Sequence, residues 1–118
     1  MVAPLIATGN TVIAIPSEAH PLAATDLYQV LETSDLPAGV VNIVTGSRDT
    51  LAKVLAEHDD VEAMWYCGPD DGVKMVELAS ASNMKRTWCP VFDDEDGEGR
   101  EFLREAVQVK NIWIPYGE

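Results

Sequence analysis

Val40-Val41-Asn42-Ile43-Val44-Thr45-Gly46-Ser47 is the stretch on which the fold turns. Every residue up to Thr45 except Asn42 is β-branched, and the run is apolar without alternation, as in a strand buried on both faces. Gly46-Ser47 then opens a helix on which Leu51, Val54, Leu55 and His58 share one side. On the N-terminal side, Thr11-Val12-Ile13-Ala14-Ile15 reads as another strand, closed by Pro16. Pro21 suits a first helical turn, and Leu27, Val30, Leu31 and Ser34 recur at helical spacing until Leu36-Pro37-Ala38-Gly39 breaks the pattern. The alternation continues downstream, with strands expected over Ala63–Cys67 and Lys85–Cys89 around a helix over Asp70–Ser82. Buried strands separated by helices of this length form right-handed parallel crossovers. The expected fold is α/β, a three-layer, Rossmann-like, doubly wound parallel sheet of about four strands, with a C-terminal helix and an extra strand.

At 118 residues the chain makes one domain, and folding buries about 65% of the surface of such a chain. Its 47% hydrophobic and 24% charged residues match a folded globular protein rather than a disordered one. The formal charge of −12 excludes nucleic acid and anionic membrane as partners, because both are bound through basic surfaces. No apolar run approaches the ~18 residues of a membrane span, and Met1-Val2-Ala3-Pro4 does not resemble a signal peptide. A cytoplasmic location is expected. Cys67 and Cys89 are read as buried free thiols, and no metal site is expected.

After Pro90, Asp93-Asp94-Glu95-Asp96-Gly97-Glu98-Gly99 reads as a solvated acidic connector that does not fit a calcium-loop template. A short helix follows from Arg100 to Val107, with Phe102, Leu103 and Ala106 on one side, and then a strand from Val107 to Ile114 ended by Pro115. His20 reads as a helix-start residue, and His58 as a cation complementing a helix C-terminus. Trp65, Tyr66, Trp88 and Trp113 read as core, with Trp113 also suited to anchoring an interface.

Four segments, taken in order, resemble the aldehyde dehydrogenase family. Ala3 to Glu18 is similar to the family's entry into its lysine-proline-serine-glutamate motif, and Leu36 to Gly46 to the next strand and its approach. Ser82-Asn83-Met84-Lys85-Arg86 resembles the lead into the strand before the catalytic glutamate. Gly99 to Glu105, with Gln108 to Trp113, resembles the extreme C-terminus. The resemblance divides the chain into a Rossmann half-domain (1–90), the acidic connector (91–99) and a C-terminal helix with an assembly strand (100–118).

This resemblance implies a chain without catalytic residues. The family's nucleophile domain would lie where only the connector stands, and Pro90 occupies the position of the catalytic glutamate. The resemblance also implies a vestigial cofactor site: Glu18, Gly46 and Gly68 match the family's NAD(P)-binding positions. The lysine position, however, is Ile15, and the phosphate turn has become Cys67-Gly68-Pro69 followed by Asp70-Asp71. Proline removes a donor, and two carboxylates stand where an anion would sit, so the turn is expected to be capped and closed and no cofactor is expected. The implied function is structural or assembly-related, either as a stand-alone protein or as the C-terminal part of a longer one. The alternative is an NAD(P)-binding component acting with another chain or domain. Val109, Ile112, Trp113 and Ile114 are the expected interface, toward a second copy or an aldehyde dehydrogenase-like partner chain.

Overall fold

A computed structural model of the chain describes residues 1–91 and 99–117. Most of the expected acidic connector therefore lies outside the described residues. The order of elements is α1 (Val2–Ala7), β1 (Val12–Ala14), α2 (Leu22–Glu32), β2 (Val41–Ile43), α3 (Arg48–Glu57), β3 (Ala63–Trp65), α4 (Asp70–Ser80), a 3-10 turn (Ala81–Asn83), β4 (Arg86–Trp88) and α5 (Arg100–Glu105). Helix α1 was not anticipated. Its end is fixed by the Thr8 hydroxyl, which donates back to the carbonyls of Pro4 and Leu5 at 2.8 and 3.0 Å.

The α/β alternation and the parallel pairing are as expected, with Val12 opposite Val41 and Trp65 opposite Trp88. The strands differ from expectation in being three residues long and in forming two separate pairs, β1 with β2 and β3 with β4. The ladder does not cross from β1 to β3, whose C-terminal ends stand around the cleft described below.

Side chains of β3 and of Tyr66 after it alternate between a buried layer and a half-buried one, as a strand's period of two requires. Met64 and Tyr66 join Ala52, Ala56 and Val76 in the core beneath α3 and α4. On the opposite face Trp65 meets Trp88 edge-on at 4.7 Å, and Phe102 of α5 closes the cluster at 6.0 and 5.1 Å from the two rings. Edge-to-face geometry is the favoured contact between such rings.

The buried stripe of α3 is made of alanines four residues apart, both at most 1% exposed, whereas Val54 is 53% exposed. The spacing of large apolar residues puts the stripe on Leu51, Val54, Leu55 and His58, of which Leu51 and Leu55 are half-buried, with Leu55 packed against the core, while Val54 and His58 are exposed. Small side chains win because α3 and α4 approach closely, with Val76 and Ser80 filling the contact. In α5, likewise, Phe102 and Ala106 are buried and Leu103 is exposed.

Two side chains from the body of the protein hold the end of α5. Asn10 Nδ2 donates to the carbonyl of Ala106 at 2.9 Å. The Arg86 guanidinium donates to the carbonyls of Val107 at 2.5 Å and Glu105 at 3.2 Å, and also to the Glu105 carboxylate. These carbonyls have no partner within the helix, and cationic donors complement them. Beyond this clamp the expected strand from Val107 to Ile114 does not form: residues 107–117 carry no regular structure and are exposed. A strand needs a paired edge to satisfy its backbone groups, and the tail pairs with none among the described residues. Trp113, read as core, is 91% exposed.

Replacing Phe102 with alanine is expected to cost about 3–5 kcal/mol and to release α5 from β3 and β4. Urea unfolding measures the first effect. Hydrogen exchange at residues 100–107, rising well ahead of exchange in α3, measures the second.

Candidate functional site

Parallel strands direct their C-terminal ends, and the turns leading into helices, toward one edge of the sheet, where ligands of open α/β folds bind. At that edge an open cleft of about 430 Å³ is lined by Ile15, Pro16, Ser17, Glu18 and Ala19 after β1, by Arg48 at the start of α3, and by Cys67 after β3. The Glu18 carboxylate accepts a hydrogen bond from the Arg48 backbone N–H. Arg48 is the first residue of α3, so Glu18 meets a free amide at the positive end of that helix. The Arg48 side chain turns to Asp49, with Nε 3.2 Å from the carboxylate. That hydrogen bond, foremost, raises the guanidinium's pKa further.

Of the three expected cofactor-site residues, Glu18 lines the cleft. Gly46, at φ 157°, leads from β2 into α3, where a side chain would come within 3.2 Å of Leu51. Gly68 begins the turn into α4, and its role here is spatial: a Cβ at Gly68 would lie 2.6 Å from the Tyr66 hydroxyl, and one at Gly72 only 2.0 Å from it. The Tyr66 ring therefore sits against the first turn of α4 through the space that two glycines leave. Its hydroxyl is buried and has no hydrogen-bond partner among the described residues.

Pro69 is the N-cap of α4, and Asp70 and Asp71 stand in its first turn, but no side chain caps the helix by hydrogen bonding. The turn is thus not capped in the expected sense. The amides of Gly72 and Val73 bond instead to the Pro69 carbonyl.

Sequence reading overlooked Lys85 and misassigned His58. His58 Nδ1 accepts from the Asp60 N–H at 3.2 Å, so this nitrogen does not bond the carbonyls at the end of α3. Lys85 does: its ammonium donates to the carbonyls of Leu55 at 3.0 Å and His58 at 2.6 Å. Lys85 is buried, and that burial lowers its pKa, with Asp59 opposing. The signal available in sequence was a lysine opening the strand expected over Lys85–Cys89.

A sequence model described as the aldehyde dehydrogenase family matches residues 1–89. The chain belongs to the aldehyde dehydrogenase family. Among curated relatives, the NADP/NAD-dependent aldehyde dehydrogenase PuuC of Escherichia coli is 40% identical over 86 residues, covering 72% of this chain and 17% of that protein. Aldehyde dehydrogenase, cytosolic 1 of Elephantulus edwardii is 34% identical over 116 residues, covering 90% of this chain and 23% of its own length. The solved aldehyde dehydrogenase of Bartonella henselae superposes with a TM-score of 0.71 at 28% identity over 75% of this chain and 18% of that one. PnpE of Pseudomonas sp. WBC-3, solved in complex with nicotinamide adenine dinucleotide, gives 0.70 at 36% identity, covering 73% and 18%. The chain thus spans about a fifth of the length of the relatives it matches.

At both thiols the surroundings disfavour the thiolate. Burial raises the Cys67 pKa, with Cys89 adding to it, and burial likewise raises that of Cys89, with Glu77 adding. A raised pKa leaves less thiolate at any given pH, and thiolate is the reactive form. Among the described residues no group of three or more His, Cys, Asp or Glu could hold a metal ion, and no helix is long and apolar enough to cross a membrane. The four expected interface residues, Val109, Ile112, Trp113 and Ile114, lie together on the exposed tail, each at least 79% accessible.

Iodoacetamide at pH 7.5 should alkylate both cysteines several-fold more slowly in the folded chain than in urea. The rate should rise with pH to a midpoint above the ~8.5 of a free thiol. A cysteine that reacts faster folded than unfolded would contradict this assignment.

Proposed function

We propose that this chain is a non-catalytic member of its family with a structural or assembly role, exerted through residues 107–114. The observation that carries this reading is the tail itself. Val109, Ile112, Trp113 and Ile114 are apolar and exposed, while the helix immediately before them is held in place by Asn10 and Arg86. A firmly anchored helix that presents an apolar, unpaired extended segment suits strand addition to another chain. The resemblance supports the same reading, since Pro90 stands at the glutamate position, and burial raises the pKa of both thiols.

The cofactor cleft is read as degraded. Ile15 brings no donor to it, the Glu18 carboxylate is engaged by the Arg48 amide, and Tyr66 fills the space against the first turn of α4. Asp70 and Asp71 add negative charge where a pyrophosphate would approach. One observation favours the second reading, a dinucleotide-binding component acting with another chain: a cleft lined by Glu18 persists at the strand ends, and a similar protein has been solved with the dinucleotide bound.

Calorimetric titration with NAD and NADP separates the two readings. The expected dissociation constant is weaker than about 1 mM, with no aldehyde oxidation. A micromolar constant would establish the second reading. Substituting Ile15→Lys, Pro69→Ser and Asp70→Thr together should raise affinity roughly tenfold to a hundredfold, since a charge-assisted hydrogen bond contributes about 1.5–3 kcal/mol.

For assembly, light scattering of the intact chain should show a dimer or larger species. A chain truncated after Val107, which retains α5 and its clamp, should be monomeric. If the intact chain is a monomer at every concentration, the assembly role falls.

A further inference from the structure

Strands β1 and β3 each carry one edge that is paired and one that is not. On β1, Val12 N–H donates to the Val40 carbonyl at 2.7 Å, and the Ala14 carbonyl accepts from Val44 N–H at 3.0 Å. Backbone groups of successive residues point to opposite sides of a strand, so those of Thr11, Ile13 and Ile15 point away from β2. On β3, the Glu62 carbonyl accepts from Arg86 N–H at 3.1 Å, and Tyr66 N–H donates to the Trp88 carbonyl at 2.9 Å. The groups of Ala63, Trp65 and Cys67 therefore point away from β4. No strand among the described residues pairs with either of these two edges.

Both edges border one opening. Ile15, at the end of the β1 edge, and Cys67, at the end of the β3 edge, line the same cleft. Helix α1 packs on β1, and Met1 before it brings its Sδ to 3.9 Å from Cys67 Sγ, so this segment bridges the opening from one strand pair to the other. Neither 11–15 nor 63–67 contains a charged residue. Ile13, in the middle of its strand, is 46% exposed, whereas strands of a parallel sheet are ordinarily covered. An unpaired edge of this kind is a template for a further strand.

We propose that the opening between β1 and β3 is a strand slot, filled by an extended, uncharged segment of a partner polypeptide that pairs with both edges at once. What the edges offer selects that occupant. Each is a row of backbone donors and acceptors about 16 Å long, and only an extended strand presents alternate residues to two such rows on opposite sides. A helix spends its backbone groups internally. The lack of charge along both edges selects apolar and β-branched side chains for the insert. A second copy of this chain is a poor source, because its four strands are held in their own pairs and its 107–114 segment carries Lys110 in the middle. Filling the slot joins β2, β1, the insert, β3 and β4 into one sheet. This surface is separate from residues 107–114, and the proposal does not rest on the role given to them.

The probe is a short labelled peptide of valine, isoleucine and threonine with a lysine at each end, titrated into the full chain by fluorescence anisotropy. It should bind, and it should slow amide exchange at Ile13 and Trp65 while changing little at Val12 and Met64, whose amides already lie in ladders. N-methylation of alternate peptide residues removes the donors from one side only. It should weaken binding roughly tenfold or more, because a slot uses both sides. Equal binding would mean pairing with a single edge and would overturn the slot. Ala63→Pro removes a donor aimed at the opening, at the first residue of β3, where proline is compatible with a strand. This variant should keep the unfolding midpoint and bind the peptide several-fold more weakly; unchanged binding would overturn the β3 edge as a contact. Should Ala63→Pro unfold the chain, the N-methylated peptide still decides. Absence of binding at ~1 mM peptide, or protection confined to residues 107–114, would overturn the proposal.

Discussion

The structure depends most on β3 making apolar contacts on both faces, one buried and one half-buried. Its period of two sends Met64 and Tyr66 beneath α3 and α4, and Trp65 to the opposite side against Trp88 and Phe102. A strand of three residues contributes few hydrogen bonds, so the two apolar layers and not the ladder hold this region together. Because Phe102 belongs to α5, the second layer also ties the C-terminal segment to the half-domain. Arg86 and Asn10 then orient that segment by capturing carbonyls that no helical amide can reach. The same logic operates at α3, where Lys85 of the strand region meets the carbonyls of Leu55 and His58. The C-terminal ends of α3 and α5 are thus satisfied by distant side chains, which couple these two helices to the strand region at β4.

That arrangement shapes the ligand edge. Glu18, a carboxylate from the β1 loop, lies on the first amide of α3, and the Tyr66 ring lies on the glycines at the start of α4. The first joins two crossovers and the second lies within one, and both fall where an α/β fold of this kind offers positive helix ends to an anion. Side chains that knit the crossovers together and a ligand that bridges them compete for the same groups.

The sequence by itself determined the α/β alternation, the parallel pairing and the family, because these rest on short-range patterns: β-branched runs, helical spacing and motif order along the chain. Those patterns cannot say which of two apolar stripes on a helix is buried. Ala52 and Ala56 are buried in α3 while Val54 is not, since close approach of α3 and α4 selects small residues, and that approach is a property of the packed pair. The roles of Lys85, Arg86 and Asn10 were equally invisible, as each bonds to a carbonyl at least 19 residues away. Tertiary structure also decided that the Val107–Ile114 segment is no strand in the single chain. Its composition is that of a strand, but a strand is defined by the edge it pairs with, and only the assembled fold shows whether such an edge exists.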